Sequence, residues 1–370
     1  MKQESASPGA FHRIILFMNI IAAVSLLCAL LSTKISPASM WISELISLSY
    51  PYLLFLNILF AFYWFIVRMK YALVSIIVIL FGIKQFNLFF QINKSEKNPP
   101  ENSFSLLTYN VRLFDLYNWT GNNKTRAAIF DLLNQHQPDI ICFQEYYNSD
   151  KGDFQNTKLL KEFLHAKNAH VEYGVTLRKS DHWGLATFTK FPIVGSGKLL
   201  QEEGRTNFVI YTDIVIKRDT IRVYNAHLQS NHFKEKDYRF IEAPDSGSNE
   251  QIYQSTKAII RRLKHGAVKR AEQIVELKEH MHNSPYPVII CGDFNDPPFS
   301  YVYSYLSDGM VDTFSEQGNG NGVTYAGKIP FYRIDYILHD PKIQCVQHEV
   351  QDVKLSDHKP VIGRLIIKRD

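Results

Sequence analysis

Cysteine is scarce in this chain: four in 370 residues, Cys28, Cys142, Cys291 and Cys345. No pair has the short spacing of a metal-ligand motif. The last three lie in apolar, strand-like runs, where a buried thiol is ordinary, and an odd number offers no complete disulfide framework. Leu27 stands before Cys28, where a lipid-attachment signal wants a small residue. No internal repeat recurs at a fixed period, so solenoids and propellers are set aside. Positive charge is also missing where a nucleic-acid footprint would need it. The formal net charge is +5, and residues 1–98 carry all of it, leaving residues 99–370 neutral. A neutral domain does not exclude DNA, but it withholds the usual electrostatic attraction.

What the chain has in plenty is apolar sequence at its front. Residues 14–31, 46–67 and 71–90 form three runs, the third interrupted by Lys84. Each approaches the ~20 residues that a spanning helix needs, and a cleaved signal peptide would explain only the first. The expectation is three membrane helices. Lys2 and Arg13 precede the first, and Arg68 and Lys70 separate the second from the third. The positive-inside rule puts those charges in the cytoplasm. A three-span, multi-pass protein of the cytoplasmic (inner) membrane would then carry its C-terminal domain toward the periplasm or exterior.

Residues 93–103 (NKSEKNPPENS) are polar, hold a double proline and read as a linker. The expected organisation is a membrane anchor over 1–92, that linker, and a second domain over 104–370. Without a disulfide framework the second domain must stand on its own core, and roughly 270 residues suffice. Its strands (SLLTYNV, DIICFQE, GLATFTK, FVIYTDIVI, TIRVYNAHL, PVIICGD, RIDYILH, PVIGRLII) are nearly continuous apolar runs alternating with helical patterns such as NKTRAAIFDLLNQHQ. That is the pattern of sheets covered by helices.

Several strands end in residues a packed core would not choose. LLTYN ends in Asn110 and ICFQE in Glu145; VYNAHLQS delivers Asn225 and His227, and IICGDFN delivers Asp293 and Asn295. RIDYIL carries Asp335, and KLSDHKPV places Asp357 and His358 before the last strand. An unpaired buried carboxylate costs several kcal/mol, so a repeated pattern needs a shared purpose. If the strand ends converge, they form a hard-cation site with phosphate chemistry around it.

In this order, LLTYNV, PDIICFQE, WGLATFTKFPI, NAHLQ, CGDFND, RIDYIL and LSDHKPV resemble the motifs of the endonuclease/exonuclease/phosphatase superfamily, whose members include deoxyribonuclease I, abasic-site endonucleases, neutral sphingomyelinases and inositol polyphosphate phosphatases. The resemblance covers about residues 104–368. It implies an α/β fold, a four-layer α/β sandwich with two central, mainly antiparallel sheets, here preceded by about three transmembrane helices. It also implies divalent-metal hydrolysis of phosphoesters with Mg²⁺, or Mn²⁺ in its place. The substrate would be a nucleic acid, a phospholipid or a small phosphate ester, with no obligate protein partner.

By the same resemblance, Glu145 is the principal metal-binding carboxylate, with Asn110 and Asp357 as direct or water-mediated ligands. Asp293 polarises the attacking water and Asn295 orients it or the phosphate. His358 contacts the scissile phosphate and Asp335 holds its tautomer and charge. His227 is a second phosphate-side histidine, and Arg205 is a looser match to a phosphate clamp. Tyr146, Tyr147 and Asn148 follow Glu145, where abasic-site enzymes usually place a lysine; this lowers a repair role. The competing readings are a deoxyribonuclease-type endonuclease and a catalytically inactive domain that holds a phosphorylated ligand. Residues 231–266 fall outside the resemblance, and Lys257, Arg261, Arg262, Lys264, Lys269 and Arg270 follow one another with no acid between them. At helical spacing they suggest a basic face, either solvated or in contact with anionic lipid or substrate.

Overall fold

A computed structural model describes residues 9–93, 99–164, 166, 168–200, 202, 204–243, 248–328 and 332–368. Lys2 and residues 94–98 of the expected linker lie outside that set.

The apolar front folds into α1 (Ala10–Ser32), α2 (Ile42–Leu48), α3 (Tyr50–Val67), α4 (Met69–Phe81) and α5 (Ile83–Asn87). Among the described residues, only α1 and α3 are long and apolar enough to cross a membrane. The expectation of three continuous spanning helices is therefore corrected. The third run breaks at Gly82, and α4 at 13 residues is about 20 Å long, short of a hydrocarbon core of roughly 30 Å. The end of that run also packs on protein, Leu88 against the core beneath the second sheet and Phe89 with the helices.

α4 runs back along α3. Tyr71 lies beside Trp64, Ser75 bonds Asn57, and Gly82 receives the Tyr50 hydroxyl. The chain thus returns to the end of the bundle where α1 stops and α3 begins. That end meets the second domain: Tyr50 packs on Phe299, and the Lys34 ammonium donates to Ser304 Oγ at 2.9 Å. A short pair, β1 (Gln91–Ile92) with β11 (Asn319–Gly320), adds to the junction.

Beyond residue 103 two six-stranded sheets stack. The first runs β13 (Ile343–Val350), β14 (Val361–Ile367), β2 (Phe104–Asn110), β3 (Ile140–Ser149), β5 (Asp181–Thr189), β4 (Asn168–Leu177). The second runs β10 (Val311–Asp312), β12 (Asp335–His339), β9 (Val288–Asp293), β8 (Asp219–His227), β7 (Val209–Ile216), β6 (Ile193–Leu199). Each sheet has one parallel pair at its centre, β2–β3 and β8–β9, and is otherwise antiparallel. Parallel neighbours need a crossover. α6 (Thr125–His136) supplies the first, and α8 (Glu235–Glu242) with the 34-residue α9 (Asn249–His282) the second.

Because successive side chains alternate between faces, neighbours in one strand feed different cores. Leu106 and Ile140 enter the core between the sheets, with Cys142, Cys291 and Cys345, whereas Leu107 and Ile141 pack outward on Ile129 and Leu133 of α6. On the other flank Ile290 and Leu338 meet Ile274 and Leu277 of α9 and Leu306 of α10 (Tyr301–Leu306). This is the helix–sheet–sheet–helix sandwich expected from the motifs, and it explains why its strands read as unbroken apolar runs. The three cysteines are buried free thiols.

Candidate active site

The two parallel pairs run in register to the same rim of the sandwich. In the second sheet His227, Asp293 and Asp335 are direct cross-strand neighbours on β8, β9 and β12. Gly292 makes this possible, with φ +131 and a position where a Cβ would lie 2.0 Å from the Ala226 carbonyl. In the first sheet Asn110 ends β2, and β3 bulges between Phe143 and Tyr146. Glu145 sits in that bulge at φ 47, which turns its side chain out of the ladder. A left-handed glutamate is strained by about 1 kcal/mol or more, and such strain gathers at functional sites.

A buried amide clasp joins the sheets beneath the rim. Gln144 donates to Asn225 Oδ1 at 2.7 Å, and Asn225 donates to the Phe143 and Ala186 carbonyls at 3.1 Å. Above it the Asn110 amide donates to Asp293 Oδ2 at 3.0 Å and, more weakly, to Glu145 Oε1 at 3.4 Å. Asp293 also accepts the backbone N–H of Asn295 at 2.9 Å, and the Asn295 amide anchors on the Leu228 carbonyl at 3.0 Å. The acid and amide of the GDFN turn are thus fixed in one tight unit, with Asn295 at φ 55, a conformation asparagine tolerates well.

His358 stands between two carboxylates. Its Nδ1 is 2.9 Å from Asp335 Oδ2, and its Nε2 is 3.6 Å from Asp293 Oδ2. Burial opposes charge on this ring, but Asp335 and Asp293 outweigh it and push its pKa well above the usual histidine range. Burial raises the Asp293 pKa against the pull of His358 and His227, and burial raises Glu145 likewise. His227 Nδ1 faces the Thr206 carbonyl at 3.2 Å and Nε2 faces the Asn207 amide at 3.2 Å, with Asp293 3.7 Å away.

Glu145, Asp293, Asn295 and His358 line a cavity of about 270 Å³, together with Asp357, Asn231, Tyr238 and Tyr332, whereas Asn110, His227 and Asp335 support these groups without forming its wall. The Glu145 side chain is 35% exposed and that of Asp357 28%, so both carboxylates open on the cavity. The tightest group of acids and histidine is a different one, Asp293, Asp335 and His358, with ligand atoms within 4.8 Å. In it His358 already bridges the two acids, which suits proton handling. Glu145 has long contacts to Asn110 and to His227 Nε2 at 3.9 Å, and Asp357 one to Arg112 besides the Ser356 hydroxyl at 3.2 Å, so both have coordination capacity left for an ion. An all-oxygen set of this kind fits a hard divalent cation.

Arg205 takes no part in the cavity wall. Its side chain is 45% exposed and sits 3.9 Å from Glu202, while the adjacent Thr206 and Asn207 hold His227. Residues to which the motifs assign no role also contribute. The Thr324 hydroxyl accepts the N–H groups of Ile334 and Asp335 at 3.0 Å, and Tyr325 pairs with His358 through a backbone bridge and an edge-on ring contact. Ser356 Oγ donates to the Asn110 carbonyl at 2.8 Å. The extra segment supplies residues 231–233 and Tyr238 to the wall. Its basic run is only in part a free face, with Lys257 and Arg261 exposed. Arg262 pairs with Asp237, Lys269 with Glu272, Lys264 lies over Trp41, and Arg270 is buried.

The chain belongs to the Endonuclease/Exonuclease/phosphatase family, whose sequence profile matches residues 107–358. The helices match a second profile, a domain of unknown function, over residues 12–89. No curated protein sequence matches the chain. Among solved structures, the family's protein from Bacteroides thetaiotaomicron is similar at 18% identity and TM-score 0.51, covering 72% of this chain and 98% of that one. One from Beutenbergia cavernae is similar at 17% identity and TM-score 0.51, with 72% of each chain covered. A functionally unknown conserved protein from Enterococcus faecalis matches at 16% identity and TM-score 0.51, covering 71% of this chain and all of that one. At these identities the likeness is one of fold. The family comprises phosphodiesterases, phosphatases and nucleases, in general metal-dependent phosphoester hydrolases.

Proposed function

We propose that this protein is a divalent-metal-dependent phosphoester hydrolase, a phosphodiesterase or phosphatase, held at a membrane by its N-terminal helices. The observation that carries the reading is Asp293. It is a buried carboxylate with a raised pKa, fixed by Asn110 and the Asn295 N–H, with His358 3.6 Å away. A carboxylate of raised pKa is a better general base near neutrality. Asp293 takes the proton of the attacking water, and Asn295 keeps the turn that carries it in place. His358, held cationic by Asp335, faces the oxygens on which negative charge develops, and His227 flanks them. Fixed charges of this sort stabilise the transition state without reorganising.

Glu145 would hold Mg²⁺ or Mn²⁺, with Asn110 and Asp357 beside it. Bound there, the ion would polarise a phosphoryl oxygen and offset its charge. Hydrolysis of bis-p-nitrophenyl phosphate by the full chain, with Mg²⁺ or Mn²⁺ and abolished by a chelator, tests the reading. No turnover with either metal would favour a phospholigand-binding domain instead. Comparing plasmid DNA with sphingomyelin separates a nuclease from a lipid hydrolase, and the neutral charge of residues 99–370 argues against the nuclease.

The membrane placement rests on α1 and α3 and on their outward apolar side chains. The second domain docks at the bundle end opposite Arg13, Arg68 and Lys70, an end the chain regains along α4 and past the break at Gly82 rather than through a third full-length helix; with those charges in the cytoplasm by the positive-inside rule, we place the domain on the periplasmic or outer face. An alkaline phosphatase fused after Asp370 should be active and a green fluorescent reporter there dark. The reverse result would place the domain in the cytoplasm.

A further inference from the structure

Arg270 is a cation that the proposed chemistry does not use, yet it is 1% exposed in the middle of α9. Its guanidinium touches four residues on three segments. Nη1 donates to the Gln229 carbonyl at 3.0 Å and to Asn231 Oδ1 at 3.1 Å. Nη2 donates to Asp296 Oδ1 at 2.9 Å and lies 3.5 Å from Glu44 Oε1. Gly266, one turn earlier, leaves room for this; a Cβ there would sit 2.3 Å from Asn231 Oδ1 and 2.9 Å from Arg270 Nη1.

Two of these segments reach the active site directly. Asp296 follows Asn295 in the turn that carries Asp293, and its own carbonyl is held by the Tyr336 hydroxyl. Gln229 follows Leu228, whose carbonyl receives the Asn295 amide, and Asn231 lines the cavity. The remaining contact comes from outside the sandwich. Glu44 belongs to α2, between the two long apolar helices, and is 2% exposed. Tyr50 on Phe299 and Lys34 on Ser304 press the same helical end against the segment just after that turn. Burial, with Asp296 alongside, pushes the Glu44 carboxyl well above its usual range despite Arg270. Two buried carboxyls, Glu44 and Asp296, thus share the one guanidinium of Arg270.

We propose that Glu44 is a positioning residue for the hydrolytic site. Through Arg270 it fixes the spacing between the 293–297 turn and the 228–231 loop, so the helical unit sets turnover as well as holding the domain in place. This rests on the hydrolase reading above. A buried guanidinium with several fixed partners has one low-energy position. Removing one partner lets it shift and carry both loops with it, and small displacements at a reacting centre are costly.

The test uses the full chain in detergent, comparing wild type with Glu44→Ala and Glu44→Gln on bis-p-nitrophenyl phosphate. Amide hydrogen exchange is followed in the same samples. Glu44→Ala should lower kcat about tenfold with KM within about twofold. Exchange should quicken at residues 228–231 and 294–297 and stay unchanged in 104–110 and 361–367. Glu44→Gln, which keeps the length of the side chain and an oxygen to face Arg270, should restore kcat to within about threefold of wild type. Unchanged kcat and exchange in Glu44→Ala would overturn the proposal, as would faster exchange throughout both sheets or a Gln variant no better than Ala. If Glu44→Ala does not fold, Glu44→Leu is judged by the same criteria; failure of both to fold would make Glu44 a folding residue and end the idea. An inactive wild type would sink the hydrolase reading alone, because the exchange comparison still decides the coupling.

Discussion

The helical unit and the sandwich differ in what they expose and in where they bury polar groups. Among the helices Asn19, Asn57 and Ser75 are fully buried and bonded to one another, while Phe17, Phe55, Phe62 and Phe65 are each more than 60% exposed. In the sandwich Leu106, Ile140, Val223 and Ile289 are fully buried, and buried polar groups such as the amide clasp, the active rim and the Asp312–Arg333 pair are bonded within it. Water outside favours the second arrangement through apolar burial. The first makes physical sense where the surroundings are as apolar as the side chains, so that hydrogen bonds and close packing hold helices together. The proposed membrane placement accounts for the contrast. Where the two regions meet, neither rule applies, and Glu44, Arg270 and Asp296 form a buried charged cluster.

The largest expected effects lie at the rim. Glu145→Gln should lower turnover more than about tenfold while the fold stays intact, since it removes the main free carboxylate facing the cavity. Steady-state kinetics with far-UV circular dichroism checks this, and retention of more than about a tenth of wild-type activity would remove Glu145 from that role. Asp335→Asn and His358→Ala should each be severe, and the double variant little worse than either, because groups that act as a unit are non-additive. Multiplicative losses would show that the two work independently.

Next come the sandwich's buried charges. The Asp312 carboxylate is bonded by Arg333 at 2.8 Å and by the Tyr303 hydroxyl at 2.7 Å. Burial alone would raise its pKa, but Arg333 and these hydrogen bonds outweigh it and hold it below the usual carboxylate range. The stability this supplies is complete above the unfolded carboxylate's pKa and is lost as pH falls through the lower, folded value. Asp312→Asn should cost about 3–5 kcal/mol at neutral pH by leaving Arg333 buried and unpaired. Its denaturant midpoint should also vary less between pH 5 and pH 2 than that of wild type, and equal slopes would contradict the assignment.

The smallest effects sharpen the contrast directly. Leu106→Ala in the sheet interior should cost about 2–5 kcal/mol. Asn57→Leu in the helical bundle should cost only about 1 kcal/mol in detergent, because polar contacts between membrane helices are individually weak. Comparable losses in thermal denaturation would mean that both regions are held by the same forces.

Much of this was legible in the sequence. Strand periodicity and seven motifs in order identified the sandwich, and polar residues at strand ends marked Asn110, Glu145, His227, Asp293, Asp335 and His358 before their convergence was visible. The signal is local: a carboxylate or amide at the tip of an apolar run stands out within ten residues. Thr324, Asn207 and Ser356 carry no such signal, since each acts by bonding a backbone group or ring far away in sequence. Arg205 was a loose match beside the residues that matter, Thr206 and Asn207.

Composition alone determined the two-part organisation and the neutral charge of the second part, because hydropathy and charge are sums that need no coordinates. Tertiary structure decided where the third apolar run breaks, which of the basic residues on α9 are already paired, and that Glu44 reaches the turn behind Asp293. Those are questions of which distant residues meet. A buried contact between Glu44 and Arg270 leaves no trace in the local pattern of either segment.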